Sequence, residues 1–550
     1  MALALALRDG TSKALGIKLL LFGAECVGKT CVAATLVDDP FQESSATQGA
    51  DLHICNTTNW KRITEEEATQ RLQNLYLSNL TSCAKSKMTT SAEAVTQATN
   101  SIDKVLPLPK VDSEDIKAAR AAKALKVVNS SASKVFQIRG GIDVTILDFA
   151  GQLQYHNTHS AFIRKENVIM VVFNASLPLS TNVKVRSSTL QGDSMTYSQN
   201  IHFWMKTVHS ICHEPGDGTD KASLLPVILL VATHLDLLGD LAEETKEKII
   251  LTLAEELEGK PYARHLAGHA EGLLNTLRKY CIFLSNKVRD PDTIRRLQNV
   301  IIEVSAPILS REHPLVFLKI EKELMGINKG VITVEEFHSI SYRCGFLAAI
   351  DSKEFAYALD HFHHHGIVLN FASVESLRGL VILSPHWLTK LLSYTLIAHP
   401  YKPTGNGRDV SFSNLKNHGI LLGSFLTYML ACFINSGVTG YQIKQLEAVD
   451  LMKKFCFLAQ ISPKAKILEG VRNTKEEKEL YIVPSLLPDD KENQKCIPGK
   501  SDENVRIVYF HFPDQFLPPM LFNQVAAICI NRNEDKREDL IWYVMAIVML

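Results

Sequence analysis

The sequence has no excess of charge of either sign, because its 59 lysine and arginine residues equal its 59 aspartate and glutamate residues. A chain without a basic field does not attract the phosphate backbone of nucleic acid, so nucleic acid is excluded as an expected partner. Charged residues make up 21% of the chain and hydrophobic residues 46%, which is typical of a folded globular protein. Its 550 residues are enough for about two to four domains.

The sequence also lacks paired cysteines and membrane-length apolar runs. Its eleven cysteines form no C-x-x-C pair and no zinc-type spacing, which favours free thiols in the reducing cytoplasm over a disulfide framework. The longest nearly uncharged runs are residues 419–434 and 541–550, and both fall short of the roughly 20 residues that a membrane span needs. We therefore expect no integral membrane segment and a buried helix at 419–434.

Residues 17–37 contain the most specific motif of the chain. An apolar run of strand length at 17–22 is followed by G-x-x-x-x-G-K-T and then by an apolar run at 31–37 that can form a helix. Such a strand, turn and helix direct backbone N–H groups and the helix dipole at a phosphate. Lys29 would reach the outer phosphates, and the Thr30 hydroxyl could bind Mg²⁺. The predicted nucleotide-binding residues are Gly23, Ala24, Glu25, Cys26, Val27, Gly28, Lys29, Thr30 and Cys31.

A second motif, D-F-A-G-Q, follows a predicted strand at 142–148, which we expect to form a hairpin with residues 135–138. Asp148, at the carboxyl end of that strand, is placed to hold Mg²⁺ through water. The Gly151 amide could bond a γ-phosphate, and Gln152 could orient an attacking water as the catalytic glutamine, with Lys29 as the second catalytic residue.

A third motif, T-H-L-D, follows a predicted buried strand at 226–232. Further strands are predicted at 168–173 and 280–286, and further helices at 200–211, 242–258 and 293–304. Ras-like GTPases carry N-K-x-D at this place, and its aspartate accepts hydrogen bonds from guanine N1 and N2. By that resemblance Thr233, His234 and Asp236 contact the base, and Asp236 selects GTP over ATP.

Two polar stretches lie between the first two motifs. Thr47, in the loop after the first helix, occupies the place of the Ras-like switch threonine and is the third predicted Mg²⁺ ligand with Thr30 and Asp148. A plain loop threonine is an equally good interpretation. Residues of about 55–140 are rich in Ser, Thr, Ala, Asn and Lys, with helical patches, and are expected to be a low-complexity insertion.

Taken together, these motifs resemble the Roc (Ras of complex proteins) GTPase domain of Roco proteins, in which T-H-x-D is the usual guanine motif. Residues 314–324, 355–369 and 381–388 are similar to the COR (C-terminal of Roc) domain that follows it. The resemblance implies an α/β fold: a P-loop Ras-like GTPase domain with a mostly parallel sheet, followed by an α+β COR domain. The expected domains are Roc at 14–305, a first COR half at 306–460 and a second COR half, expected to be truncated, at 461–550.

The resemblance implies a GTP- and GDP-binding protein with Mg²⁺ as cofactor, slow GTPase activity and a role as a cytoplasmic signalling switch. COR would couple nucleotide state to homodimerisation, and the apolar residues at 419–434 and 455–458 could be buried either within COR or against a second copy. The alternative is a Roc–COR scaffold or interaction protein with little or no GTP turnover.

Four histidines close together, His361, His363, His364 and His365, suggest a metal cluster. They have no cysteine nearby and only Asp360 as an acidic neighbour. We therefore favour an exposed helix end over a metal site.

Overall fold

The computed structural model of the chain describes residues 6–7, 10–14, 16–41, 50–64, 67, 141–151, 159–183, 195–212, 225–327, 329–392, 407–435, 441–455, 457–461 and 477–486. Its strands are β1 Thr11–Lys13, β2 Gly16–Phe22, β3 Ala50–Asn56, β4 Asp143–Phe149, β5 Asn167–Asn174, β6 Val227–Thr233, β7 Cys281–Phe283, β8 Glu312–Pro314, β9 Val331–Thr333, β10 Leu369–Asn370, β11 Leu380–Ile382, β12 Ile420–Leu422, β13 Ala459–Ile461 and β14 Leu480–Ile482. Its α-helices are α1 Lys29–Leu36, α2 Tyr197–Cys212, α3 Ala242–Leu257, α4 Leu273–Tyr280, α5 Pro291–Leu309, α6 Leu315–Met325, α7 Val334–Arg343, α8 Lys353–His364, α9 Pro385–Leu392, α10 Gly407–His418, α11 Gly423–Asn435 and α12 Gln445–Lys454.

A six-stranded sheet of order β3-β4-β2-β5-β6-β7 forms the centre of the N-terminal domain. All neighbouring strands in it are parallel except β3, which runs antiparallel to β4 at the edge. The inner strand β5 is buried along its whole length, as expected for a continuous apolar run covered by helices on both faces. The predicted α/β class with a mostly parallel sheet is confirmed.

Helices at the predicted places pack on this sheet. Trp204 of α2 stacks on Phe22 at the end of β2, with ring centroids 4.3 Å apart. The start of α5 is stabilised in two ways. The Asp290 carboxylate caps the helix by accepting a hydrogen bond from the Thr293 N–H at 2.9 Å, and Pro291 is the first helical residue. The helices predicted at 200–211, 242–258 and 293–304 correspond to α2, α3 and α5.

The partner of β4 differs from the prediction. One edge of β4 pairs with β2 and the other with β3, so the expected hairpin with residues 135–138 is wrong. Those four residues lie outside the described part of the chain. The strand β3 runs to Asn56, whose side-chain amide donates to the Asp143 carboxylate at 2.7 Å. The regular sheet therefore includes the first residues of the predicted insertion, most of which lies outside the described residues.

A second core lies after the N-terminal domain, around a three-stranded sheet of order β10-β11-β9. Phe317 of α6, Phe337 of α7 and Phe362 of α8 meet there, with ring centroids 5.3 to 5.5 Å apart. Helix α7 starts with a capping box, in which the Thr333 hydroxyl accepts from the Glu336 N–H and the Glu336 carboxylate accepts from the Thr333 N–H. Helices on small antiparallel sheets confirm the α+β class of this part.

A further three-stranded sheet, of order β12-β14-β13, packs with α10 and α11. Residues 420–422 are a strand, so the single buried helix predicted at 419–434 begins later, at Gly423. The side chains of Phe425, Met429 and Phe433 are buried, as are those of Phe455 and Phe457. Apolar side chains of both segments are therefore buried within the chain, which is one of the two alternatives expected for them, and the homodimer stays a prediction. The expected boundary at residue 460 lies inside β13.

The N-terminal domain and the following region touch through a small sheet and several polar contacts. Strand β1 pairs antiparallel with β8, which places Thr11 opposite Pro314. The Lys18 ammonium donates to the Gly366 carbonyl at 2.6 Å, and the His386 ring donates through Nδ1 to the Ala50 carbonyl at 2.7 Å. These contacts surround a cavity of about 820 Å³ at the junction.

Within the described residues, no helix combines the length and the apolar character that crossing a bilayer requires.

Candidate functional site

The loop between β2 and α1 adopts backbone conformations with positive φ, which favour glycine. Gly23 and Gly28 have φ of 143° and 86°, and Cys26, between them, has φ of 60°. A Cβ on Gly23 would lie 2.1 Å from the Val172 carbonyl oxygen of the neighbouring strand β5. The loop therefore packs against the sheet with no room for a side chain at Gly23, and α1 starts directly after Gly28.

The Lys29 side chain is buried and folds back into this loop. Its ammonium donates to the carbonyl oxygens of Gly23 at 3.1 Å and Ala24 at 2.7 Å. Burial lowers the pKa of Lys29 to about 8, while the nearby Asp148 carboxylate acts in the opposite direction. A lysine ammonium is thus held where a phosphate on the loop would meet it.

Thr30 and Asp148 meet beside Lys29. The Thr30 hydroxyl, in the first turn of α1, donates to Asp148 Oδ2 at 2.6 Å. Asp148 lies on β4, opposite Leu21 of the parallel strand β2. A hydroxyl and a carboxylate are oxygen ligands of the kind that Mg²⁺ prefers. The donor set fits this ion.

Gly151 lies directly on the phosphate-type loop. A Cβ at this position would be 2.5 Å from the carbonyl carbon and oxygen of Ala24. The D-x-x-G motif thus places a side-chain-free backbone against the loop. Thr47 and Gln152, the other two residues predicted for this part of the site, lie outside the described residues.

The T-H-L-D motif is tied to the same loop. The buried Thr233 hydroxyl donates to the Val27 carbonyl at 2.6 Å, and its oxygen lies 2.8 Å from His234 Nδ1. His234 adopts φ of 61°, which turns the chain into the short helical segment Leu235–Leu237. Burial lowers the pKa of His234, against the influence of Asp236. Thr233 thus connects the end of β6 to the loop between β2 and α1 by a hydrogen bond.

Asp236 lies at the surface, and a neighbouring loop orients it. The Ser285 hydroxyl donates to Asp236 Oδ1 at 2.6 Å, while its oxygen accepts from the backbone N–H groups of Lys287 and Val288. The carboxylate is therefore held at a defined position after β6 by a loop that follows β7.

Asn286 is a site residue that sequence reasoning did not select. Its side-chain amide donates to the Gly28 carbonyl at 3.4 Å, and its oxygen accepts from the Thr35 hydroxyl at 3.1 Å. It thereby joins the loop after β7 to the residue that precedes α1 and to the last turn of α1. The segment 280–286 was recognised as a strand and loop, but a single asparagine in it gives no sequence signal of its own.

These side chains all gather at the carboxyl edge of the parallel strands β2, β4 and β6, the usual ligand-binding edge of such sheets. The fold and the site define the class of the N-terminal domain: it is a P-loop domain of the α/β type, with one acidic residue at the end of β4 and another after β6.

Comparison with known proteins then identifies the region that follows. Residues 314–487 match the family model described as C-terminal of Roc, COR-A domain. The chain is similar to two curated proteins of Dictyostelium discoideum, "Probable serine/threonine-protein kinase roco5", 24% identical over 268 residues or 47% of this chain, and "Probable serine/threonine-protein kinase pats1", 23% identical over 278 residues or 50% of this chain. The matches span 8% and 7% of the length of these relatives.

A solved structure described as Methanosarcina barkeri Roco2 RocCORdC bound to GDP covers 87% of this chain and 97% of its own, with 15% sequence identity and a TM-score of 0.43. The COR-A match and the two Roco relatives bear out the predicted resemblance to Roco proteins, with a COR-A region at residues 314–487. The domain bounds 14–305, 306–460 and 461–550 stay predictions.

Proposed function

We propose that this chain binds GTP and GDP with Mg²⁺, hydrolyses GTP slowly and acts as a signalling switch in the cytoplasm. The observation that carries the proposal is the contact of Thr30 with Asp148 beside the buried ammonium of Lys29. These groups offer the oxygen ligands and the positive charge that a nucleotide phosphate with Mg²⁺ requires. Thr47 is proposed as a further Mg²⁺ ligand.

Guanine selection is proposed for Asp236. A carboxylate that accepts from guanine N1 and N2 finds no matching donor pair on adenine, so ATP should bind poorly. The hydrogen bond from Ser285 supports this role, because it fixes one carboxylate oxygen and leaves the other to turn toward a base. His234 and Thr233 are proposed to shape the same pocket.

Coupling to COR is proposed through the edge strand β3. Ala50 lies opposite Phe149 in the sheet, close to the Asp148 and Gly151 positions, and its carbonyl accepts from His386 of the COR helix α9. A change in the backbone after Asp148 would therefore reach COR through one strand pair and one hydrogen bond. We propose that COR passes nucleotide state on to a homodimer in this way.

The test uses the purified chain and a fluorescent GTP analogue. GTP and GDP should compete for the analogue at least tenfold better than ATP, and removal of Mg²⁺ should weaken GTP binding. Single-turnover measurement should then show slow phosphate release, on the order of 10⁻⁴ s⁻¹ as for Ras-like proteins without a supplied arginine. Equal competition by ATP would contradict the proposal, and tight GTP binding without phosphate release would favour the scaffold alternative.

A further inference from the structure

Three imidazoles from separate places in the sequence converge where Roc meets COR. His361 and His365 lie one helical turn apart at the end of α8, and His313 lies on β8. A ring nitrogen from each of the three is within 4.8 Å of the others. All three side chains are partly buried, so the expectation of an exposed helix end is wrong for His361 and His365.

The other two histidines of the sequence cluster point elsewhere. His363 Nδ1 accepts from the Asn370 backbone N–H at 3.2 Å, and the exposed His364 pairs with Asp360 at 3.3 Å. The group in the structure therefore differs from the cluster in the sequence. It lacks His363 and His364 and instead includes His313, which lies 52 residues before His365.

A carboxylate from the N-terminal domain lies beside one of these histidines. Glu166 Oε1 lies 3.4 Å from His365 Nε2. Ligand atoms of a tetrahedral zinc site, with bonds of about 2.0–2.1 Å to the ion, are separated from one another by about 3.3 Å. The same Glu166 oxygen accepts from Arg311 at 2.8 Å, and the second carboxylate oxygen adds further acceptor capacity.

The hydrogen bonding of His365 favours a cation at this place. Its Nδ1 lies 2.8 Å from the His361 carbonyl, which can only accept, so Nδ1 carries the proton. The other ring nitrogen, Nε2, then faces the Glu166 carboxylate, 3.4 Å from Oε1. Metal-bound histidines show this same pattern, in which the far ring nitrogen donates to a carbonyl and the near one binds the ion.

We propose that His313, His361, His365 and Glu166 bind a zinc ion that joins the Roc domain to COR. Imidazole nitrogens with one carboxylate oxygen are a ligand set that suits Zn²⁺, and a hard ion such as Mg²⁺ would prefer more oxygens. The three imidazoles supply the nitrogen atoms of this set, which lie within 4.8 Å of one another. The Glu321 carboxyl lies near His365 and Glu166.

The experiment measures zinc binding to the full chain, stripped of metal by a chelator and loaded with GDP and excess Mg²⁺. The chain carries Cys26→Ser, because that exposed thiol could bind zinc itself. Competition with a chromophoric chelator should give one Zn²⁺ per chain with a Kd on the order of 1 µM or below. His313→Gln and His365→Gln should each weaken binding about 100-fold or more, and Glu166→Gln about tenfold.

His364→Gln is the matched control, because it removes a histidine from the same helix end without touching the site, and it should bind zinc like the parent chain. Thermal unfolding without metal should be alike in parent and variants, whereas zinc should raise the Tm of the parent and of His364→Gln much more than that of His313→Gln and His365→Gln.

One equivalent of zinc retained in a His313→Gln, His365→Gln double variant would overturn the proposal, as would no stoichiometric binding by the parent. If the variants fail to fold, the cobalt(II) form of the parent decides, since intense visible bands of a tetrahedral site support the proposal and weak octahedral bands overturn it.

Discussion

At the residue scale, the carboxylate of Asp236 combines exposure with a fixed orientation. It lies after β6 at the surface, and the Ser285 hydroxyl holds one of its oxygens. Asp236→Asn keeps the size of the side chain but replaces one acceptor by a donor, which would oppose the N–H groups of guanine. A lost charge-assisted pair costs about 2–5 kcal/mol, so we expect GTP affinity to fall by more than tenfold.

Asp240→Asn is the control for this change, because Asp240 is an exposed carboxylate of the same segment and is not predicted to contact the base. Both variants are compared with the parent by fluorescence titration of GTP and GDP. An Asp236→Asn protein that binds GTP as tightly as the Asp240→Asn protein would exclude the guanine contact.

Lys29 and Gln152 should separate binding from hydrolysis. Lys29→Ala removes the buried ammonium from the phosphate-type loop, so nucleotide binding itself should be lost. Gln152→Leu should leave the Kd for GTP unchanged and lower phosphate release, because the water would no longer be oriented. Titration and single-turnover assays of the two proteins measure these effects. Unchanged phosphate release in Gln152→Leu would show that another group orients the water.

The site residues that could be predicted from the sequence are those that belong to a short motif. Lys29, Thr30 and Asp148 belong to motifs with fixed spacing, and the structure brings them together as the spacing predicts. Ser285 was expected at a base-contacting loop from its place after the last predicted strand, whereas Asn286 acts through a partner 258 residues away that no local pattern indicates. The three-histidine group was missed for the same reason, because His313 is far from α8 in sequence.

At the scale of elements, the close approach of Gly330 to Trp387 is a specific packing constraint in COR. A Cβ on Gly330 would lie 2.4 Å from the indole ring of Trp387, which is itself buried. Gly330→Ala should therefore displace the start of α9 and lower the free energy of unfolding by about 1–3 kcal/mol. Urea denaturation followed by tryptophan fluorescence measures the change.

Gly379→Ala gives the comparison, because a Cβ there would meet nothing within 4 Å. It should be neutral or stabilise the protein by about 0.4–1 kcal/mol through the unfolded chain. Equal stability of the two variants would mean that α9 can move away from Gly330 without cost.

The elements that the sequence predicted correctly are those whose signal is a long apolar run. Strands β5 and β6 are buried on both faces and are almost continuous in apolar residues, and β2 is apolar from Leu19 to Phe22. The edge strand β3 has only intermediate burial along most of its length and contains Asp51 and His53, so it has no such run. In residues 419–434 the run continues through β12 into α11 without a break, because both elements are buried and apolarity alone does not distinguish them.

At the scale of the whole molecule, the side chains of Phe425, Phe433 and Phe457 that are buried within the chain are not available for the predicted homodimer contact. Exposed apolar side chains within the described part of COR include Tyr342, Leu347 and Tyr357, and these are candidates for a contact between two copies. Light scattering of the GDP-bound and GTP-analogue-bound chain at micromolar concentration should give twice the chain mass of 61.2 kDa. The monomer mass in both states would exclude the dimer and any mechanism acting through its geometry.

The pairing of β1 with β8 also determines the order of events during synthesis on the ribosome. Thr11 and its hydrogen-bond partner Glu312 are 301 residues apart, so β1 cannot pair until the whole Roc domain and the first residues after it have been translated. At about 5–20 residues per second this interval lasts roughly 15–60 s. The Roc sheet can form from β2 onward during that time, whereas the joint between Roc and COR closes only after β8 has left the exit tunnel.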